Sequence, residues 1–241
     1  MIHTADLTYV VDGTRHVGFL AVDDAVQTRR PGILLGHEGG GLRENVKQRA
    51  VRLAEAGYVA FGLDYYGEPR PTTAEVPAAV ERLRGDAERT RMLAQAGLDV
   101  LTEQRWTDST QLAAIGYCFG GAMAIELART GADLRAVAGF HCSLTTPRPD
   151  DSRNIRGRVL VCIGADDPTI TRADRAAWED EMTAAGVDWR LEIYGRTTHS
   201  FTSPNAVGAA GNAVHRYSER SDRRSWASML DLFDEVFDRT G

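Results

Sequence analysis

The chain has one lysine, Lys47, among its 28 basic residues, and only three cysteines. With 34 acidic residues the formal charge is −6, so neither nucleic acid nor an anionic membrane is an expected partner. The arginines are scattered, adjacent only at 29–30 and 223–224, and read as solvated surface. Cys118, Cys142 and Cys162 are too few and odd in number for a disulfide framework, which leaves each thiol as core filler or reagent. No apolar run approaches the ~20 residues that cross a bilayer. Residues 1–13 lack a basic stretch followed by an apolar one, so the expected compartment is a reducing cytoplasm. Repeats, low-complexity tracts and long linkers are also missing, so one domain over 1–241 is expected. At 43% apolar and 26% charged, the composition is that of an ordinary globular chain.

What is present is an alternation of strands and helices. Asp12-Gly13 is a hairpin signal between apolar runs at 9–11 and 17–22. Strands are expected at 33–35, 58–63, 112–117, 136–140, 158–163 and 189–194. Helices are expected at 45–56, 120–129, 172–185 and 221–238, with another from a Thr72…Glu75 capping box to about 104, broken near Gly85. The pattern predicts an α/β fold: a mostly parallel sheet covered by helices on both faces, with an antiparallel hairpin at its N-terminal edge. In such sheets the chemistry sits in the loops that leave the C-terminal strand ends.

Four of those loops carry chemistry. Gly116-Tyr117-Cys118-Phe119-Gly120 has the G-x-nucleophile-x-G spacing of a nucleophile elbow, between an apolar strand and an apolar helix. The competing reading is Cys118 as a small buried hydrophobe. Asp166 and Asp167 follow the strand at 158–163, and either could orient a histidine. His199 follows the last strand and would by itself be a solvated loop residue. The order Cys, Asp, His is the α/β-hydrolase order, and each member follows a strand. His37-Glu38-Gly39-Gly40-Gly41 resembles an oxyanion loop, and position 41 is glycine rather than the second histidine of a zinc H-E-x-x-H. The chain has no glycine-rich phosphate motif, and its six histidines show no metal-ligand spacing. No cofactor and no metal are expected.

Gly36-His37-Glu38, the Gly-Tyr-Cys-Phe-Gly-Gly at 116–121, Gly-Ala-Asp-Asp at 164–167, His-Ser-Phe at 199–201 and the stretch 63–66 together resemble the dienelactone hydrolase family of α/β-hydrolases. The resemblance implies Cys118 as nucleophile, His199 as base and Asp167 as the orienting acid. It also implies the Phe119 and Gly39 N–H groups as oxyanion hole, and Glu38 as a carboxylate touching the resting thiol. Members acting on dienelactone carry an arginine four residues beyond the histidine. Here that position is Ser203, which argues against dienelactone itself as substrate. Arg70, His37, His141, Ser200 and Phe201 are further candidates for lining the substrate site, and residues 204–220 are a candidate cover for it.

These readings predict a hydrolase of a small-molecule carboxylic ester or lactone working through a thioester, as a monomer or homodimer. A thiol suits esters and lactones better than amides, because thiolate would leave in preference to an amine. Two alternatives stand beside it. One is a specialised acyl-transfer, cyclisation or bond-cleavage enzyme on the same scaffold. The other is a non-catalytic thiol redox sensor or binding protein, for which an acid–histidine pair has no use.

Overall fold

The computed structural model describes residues 1–208 and 214–237. Eight strands form one sheet in the order β1-β2-β4-β3-β5-β6-β7-β8. They are β1 (Ile2–Val11), β2 (Thr14–Asp23), β3 (Arg30–Gly36), β4 (Val59–Gly62), β5 (Thr107–Tyr117), β6 (Ala136–Phe140), β7 (Arg158–Gly164) and β8 (Trp189–Tyr194). β1 pairs with β2 and β2 with β4 antiparallel; the remaining neighbours are parallel. The expected α/β-hydrolase architecture, with its N-terminal hairpin, is the one observed. Asp12 and Gly13 take φ of +50° and +75°, the left-handed pair that a tight hairpin requires. Both hairpin strands are longer than the apolar runs at 9–11 and 17–22 suggested, because β1 alternates exposed with half-buried residues at the sheet edge.

Among the described residues six α-helices cover the sheet: α1 (Glu44–Glu55), α2 (Val76–Gly85), α3 (Ala87–Thr102), α4 (Phe119–Arg129), α5 (Arg172–Ala184) and α6 (Glu219–Val236). The break near Gly85 separates α2 from α3, and the Asp86 carboxylate caps α3 by accepting from Arg89 N–H at 2.9 Å. Thr72 and Glu75 do bond to each other, but as a turn preceding α2 rather than as its first turn. The closing helix was expected to reach 238, which lies outside the described residues. α1 and α6 pack Val46, Leu53, Trp226, Met229 and Phe233 on one sheet face. Helices α3, α4 and α5 pack Leu93, Leu98, Ile125, Trp178 and Met182 on the other. No described helix is long and apolar enough to cross a membrane.

Every residue of α4 is buried, so its two charged side chains must be neutralised inside the protein. Glu126 accepts from Arg91 at 2.9 and 3.1 Å, from Arg129 at 2.8 Å and from Thr146 at 2.6 Å. Arg129 also reaches Glu181 of α5 at 2.6 Å. Glu126→Ala would leave Arg91 with Asp151 and Arg129 with Glu181 but remove the carboxylate the two guanidiniums share, at a cost of about 1–3 kcal/mol. Thermal unfolding should show this as a melting temperature lower by roughly 5 °C. An unchanged melt would mean that water screens the cluster.

Candidate active site

The C-terminal ends of β3, β5, β7 and β8 bring the four chemical loops together. β3 and β5 end side by side, with Gly36 opposite Gly116. Cys118 follows at φ +54°, ψ −117°, the strained turn of an elbow, with its N–H donating to Phe140 O at 2.9 Å. That turn presses Gly120 against β3: a Cβ there would lie 2.2 Å from the Gly36 carbonyl carbon. A Cβ on Gly116 would lie 2.1 Å from Gly120 O. The small residues flanking the cysteine are therefore a steric requirement.

Cys118 Sγ lies 3.2 Å from His199 Nε2, and His199 Nδ1 lies 2.7 Å from Asp167 Oδ2. Asp167 is 3% exposed, whereas Asp166 points into solvent. The choice the residues alone left open thus resolves geometrically to Asp167. Its other oxygen accepts from Thr169 N–H at 2.9 Å and Thr169 Oγ1 at 2.6 Å. Burial raises the Asp167 pKa, but His199 and Thr169 more than offset this and hold it below the usual carboxylate range. Burial also works against charge on His199, yet Asp167 and Cys118 raise its pKa to about 10.

The Phe119 and Gly39 N–H groups carry no hydrogen bond to another described residue. Phe119 opens α4, where N–H groups point out of the helix. Gly39 N–H is aimed indirectly. Glu38 O, in the same peptide plane, accepts from Gly41 N–H at 3.0 Å and from His37 Nδ1 at 2.7 Å. His37 Nε2 in turn accepts from Tyr65 N–H at 3.1 Å. With both ring nitrogens on backbone and no exposed surface, His37 cannot touch substrate as expected. It holds the glycine-rich loop at 38–41 against the loop after β4.

Other expected contacts also change. The Glu38 carboxylate takes its hydrogen bond from the Ser203 hydroxyl and not from the thiol, and that hydroxyl in turn accepts from Asn45 Nδ2 at 3.0 Å. Burial raises the Glu38 pKa, against the opposing pull of the Ser203 hydrogen bond. His141 and Phe201 are fully buried, so they form the wall behind His199 rather than a substrate surface; the His141 ring lies 5.1 Å from that of His199 and 5.2 Å from that of Phe201. Arg70 is exposed on its loop. Ser200, half-buried, bonds His215 at 2.9 Å. Together with Glu38, Arg43, Asn45 and Ser203 this pair lines a cavity of about 400 Å³ beside His199. Larger clefts of about 620, 510 and 480 Å³ lie elsewhere, and neither they nor the 400 Å³ cavity are lined by Cys118, Asp167 or His199. Of the candidate cover at 204–220, residues 209–213 lie outside the described residues. His215 and Arg216 pair alongside His199.

Sequence reasoning missed three supports. Thr169 holds Asp167. Thr202 Oγ1 lies 2.8 Å from His141 Nε2. Arg49, 6% exposed, donates to Thr202 O at 2.7 Å and to both Asp222 oxygens at 2.8 Å, pinning the histidine loop between α1 and α6. An available signal was an arginine on the otherwise apolar face of Val46, Ala50 and Leu53. The spacing of the histidines also concealed a cluster: one ligand atom each from Cys118, His141 and His199 lie within 4.8 Å of one another.

The strand order, the elbow between β5 and α4, and an acid and a histidine after β7 and β8 define an α/β-hydrolase. The chain belongs to the dienelactone hydrolase family, whose model matches residues 17–237, and is an ester or lactone hydrolase. A solved structure named m3DLH is 40% identical at a TM-score of 0.94, over 98% of this chain and 99% of that one. P91, a dienelactone hydrolase-like promiscuous phosphotriesterase from metagenomic libraries, is 38% identical at a TM-score of 0.94 over the same shares. An uncharacterized protein of Caenorhabditis elegans is 31% identical over 150 residues, 59% of this chain and 91% of its own length.

Proposed function

We propose that this hydrolase uses Cys118 as its nucleophile and passes through a thioester acyl-enzyme. The observation that carries the reading is the continuous chain from thiol to imidazole to buried carboxylate, 3.2 and then 2.7 Å long. Cys118 gives its proton to His199 Nε2 and attacks the substrate carbonyl. The Phe119 and Gly39 N–H groups receive the developing oxyanion. His199 returns the proton to the departing alkoxide as the carbon–oxygen bond breaks, leaving the acyl group on sulfur. A water deprotonated by His199 then releases the acid and restores the thiol. Asp167 holds the imidazole and stabilises its charged form. The adjoining cavity sets the Glu38 and Glu44 carboxylates beside Arg43 and His215, with Asn45 and Ser203 also in its lining. Small esters and lactones are the substrate class proposed.

The test is rapid mixing with p-nitrophenyl acetate. A burst of one nitrophenolate per chain is expected, followed by steady turnover and, on quenching, an acetyl group on the Cys118 peptide. A burst without turnover would favour the thiol-sensor reading, and an acetyl group on another residue would remove Cys118 from its role. The likeness to P91 supports a second substrate class for the same thiol, neutral phosphotriesters. Slow release of nitrophenolate from paraoxon, lost together with esterase activity in Cys118→Ala, is the expected result.

A further inference from the structure

Cys118, His141 and His199 also make up the donor set of a soft-metal site. Both imidazoles of the cluster are already held at one nitrogen. His199 Nδ1 lies 2.7 Å from Asp167 Oδ2, and His141 Nε2 lies 2.8 Å from Thr202 Oγ1. This leaves His199 Nε2, 3.2 Å from Cys118 Sγ, and His141 Nδ1, a fully buried nitrogen with no hydrogen-bond partner. A metal-ligating histidine is oriented in this manner, with its far nitrogen anchored by a protein oxygen. An orphaned buried nitrogen is costly, and a bound cation would supply its missing partner.

We propose that Cys118, His141 and His199 form a reversible inhibitory site for a thiophilic divalent cation, Zn²⁺ being the best fit. One thiolate and two imidazoles match zinc in softness and number, with the fourth tetrahedral position left to water reaching the half-buried Cys118. Zn–S near 2.3 Å and Zn–N near 2.0–2.1 Å put tetrahedral ligand atoms roughly 3.5 Å apart. The Cys118–His199 spacing is close to that, and drawing in a ligand atom from 4.8 Å takes about an ångström of side-chain movement. On binding, the thiol proton and any proton on His199 Nε2 pass to solvent and nothing is oxidised, so a chelator restores the free site. A sulfur bound to zinc cannot attack an ester.

The test pairs a binding readout that needs no turnover with an activity readout. Cd²⁺ added to the metal-free protein should give a near-ultraviolet thiolate-to-metal absorption at one Cd²⁺ per chain. That band should vanish in Cys118→Ser although the buried Cys142 and Cys162 remain. Zn²⁺ should inhibit p-nitrophenyl acetate turnover and release it to EDTA. In His141→Asn the Zn²⁺ concentration for half-inhibition, taken against that variant's own rate, should rise about tenfold or more. Because that variant can fail to fold, X-ray absorption at the zinc edge of the native protein gives a second reading: one sulfur and two imidazoles are expected. A single imidazole, a Cd²⁺ band that survives Cys118→Ser, or no band at all would overturn the site. Absent ester turnover with an intact Cd²⁺ band would instead count against the hydrolytic role of Cys118.

Discussion

Replacing Cys118 with alanine is expected to cut ester turnover by about 10⁴-fold or more while the protein melts and scatters as before. The thiol is half-buried, and its side-chain hydrogen bond runs to His199, so its removal opens little space. The strained turn, at φ +54°, is enforced by Gly116, Gly120 and Gly36 and not by the sulfur. His199 keeps Asp167, and Phe119 still opens α4. Activity and fold should therefore separate cleanly. The measurements are steady-state kinetics beside near-ultraviolet circular dichroism and a thermal melt. Turnover retained within tenfold would dismiss the nucleophile. Loss of the native spectrum would show Cys118 to be a packing residue.

Asp167→Asn should cost about 10²–10⁴ in kcat, with KM little changed, whereas Asp166→Asn should stay within twofold. The direction follows from Thr169. Its N–H and Oγ1 both donate to Asp167 Oδ1, so an asparagine keeps its carbonyl oxygen there and turns its NH₂ toward His199 Nδ1. The imidazole must then accept at Nδ1 and carry its proton on Nε2, where it cannot take the proton of Cys118. Asp166 is exposed and its backbone N–H, not its carboxylate, is bonded, to Thr197 O at 3.0 Å. Equal losses in the two variants would show the wrong carboxylate assigned.

The same substitution has a signature in stability. The His199 pKa is raised to about 10 from 6.5, so its contribution is complete below pH 6.5 and lost as pH rises toward 10. Asp167→Asn should flatten that alkaline decline in denaturant titrations.

Much of the fold was legible from local pattern. The Asp12-Gly13 turn, the capped helices and the apolar strands each depend on neighbours a few residues apart. The elbow was legible for the same reason: Gly116, Cys118 and Gly120 lie within five residues, and the crowding that requires them is a property of one turn. The order Cys118, Asp167, His199 placed three side chains after three strands, because a parallel sheet returns every such loop to one end. Which neighbour each side chain meets is decided only when distant segments pack. Glu38 bonds Ser203, 165 positions away, instead of the thiol. His37 and His141 look like site residues in the sequence, but the loop after β4 and Thr202 turn them inward. Arg49 becomes a support because α6 brings Asp222 to it across 173 positions. Asp167 and its neighbour Asp166 are chemically alike. Burial of the one at the β7–β8 edge, against exposure of the other, separates them, and burial belongs to the packed chain alone.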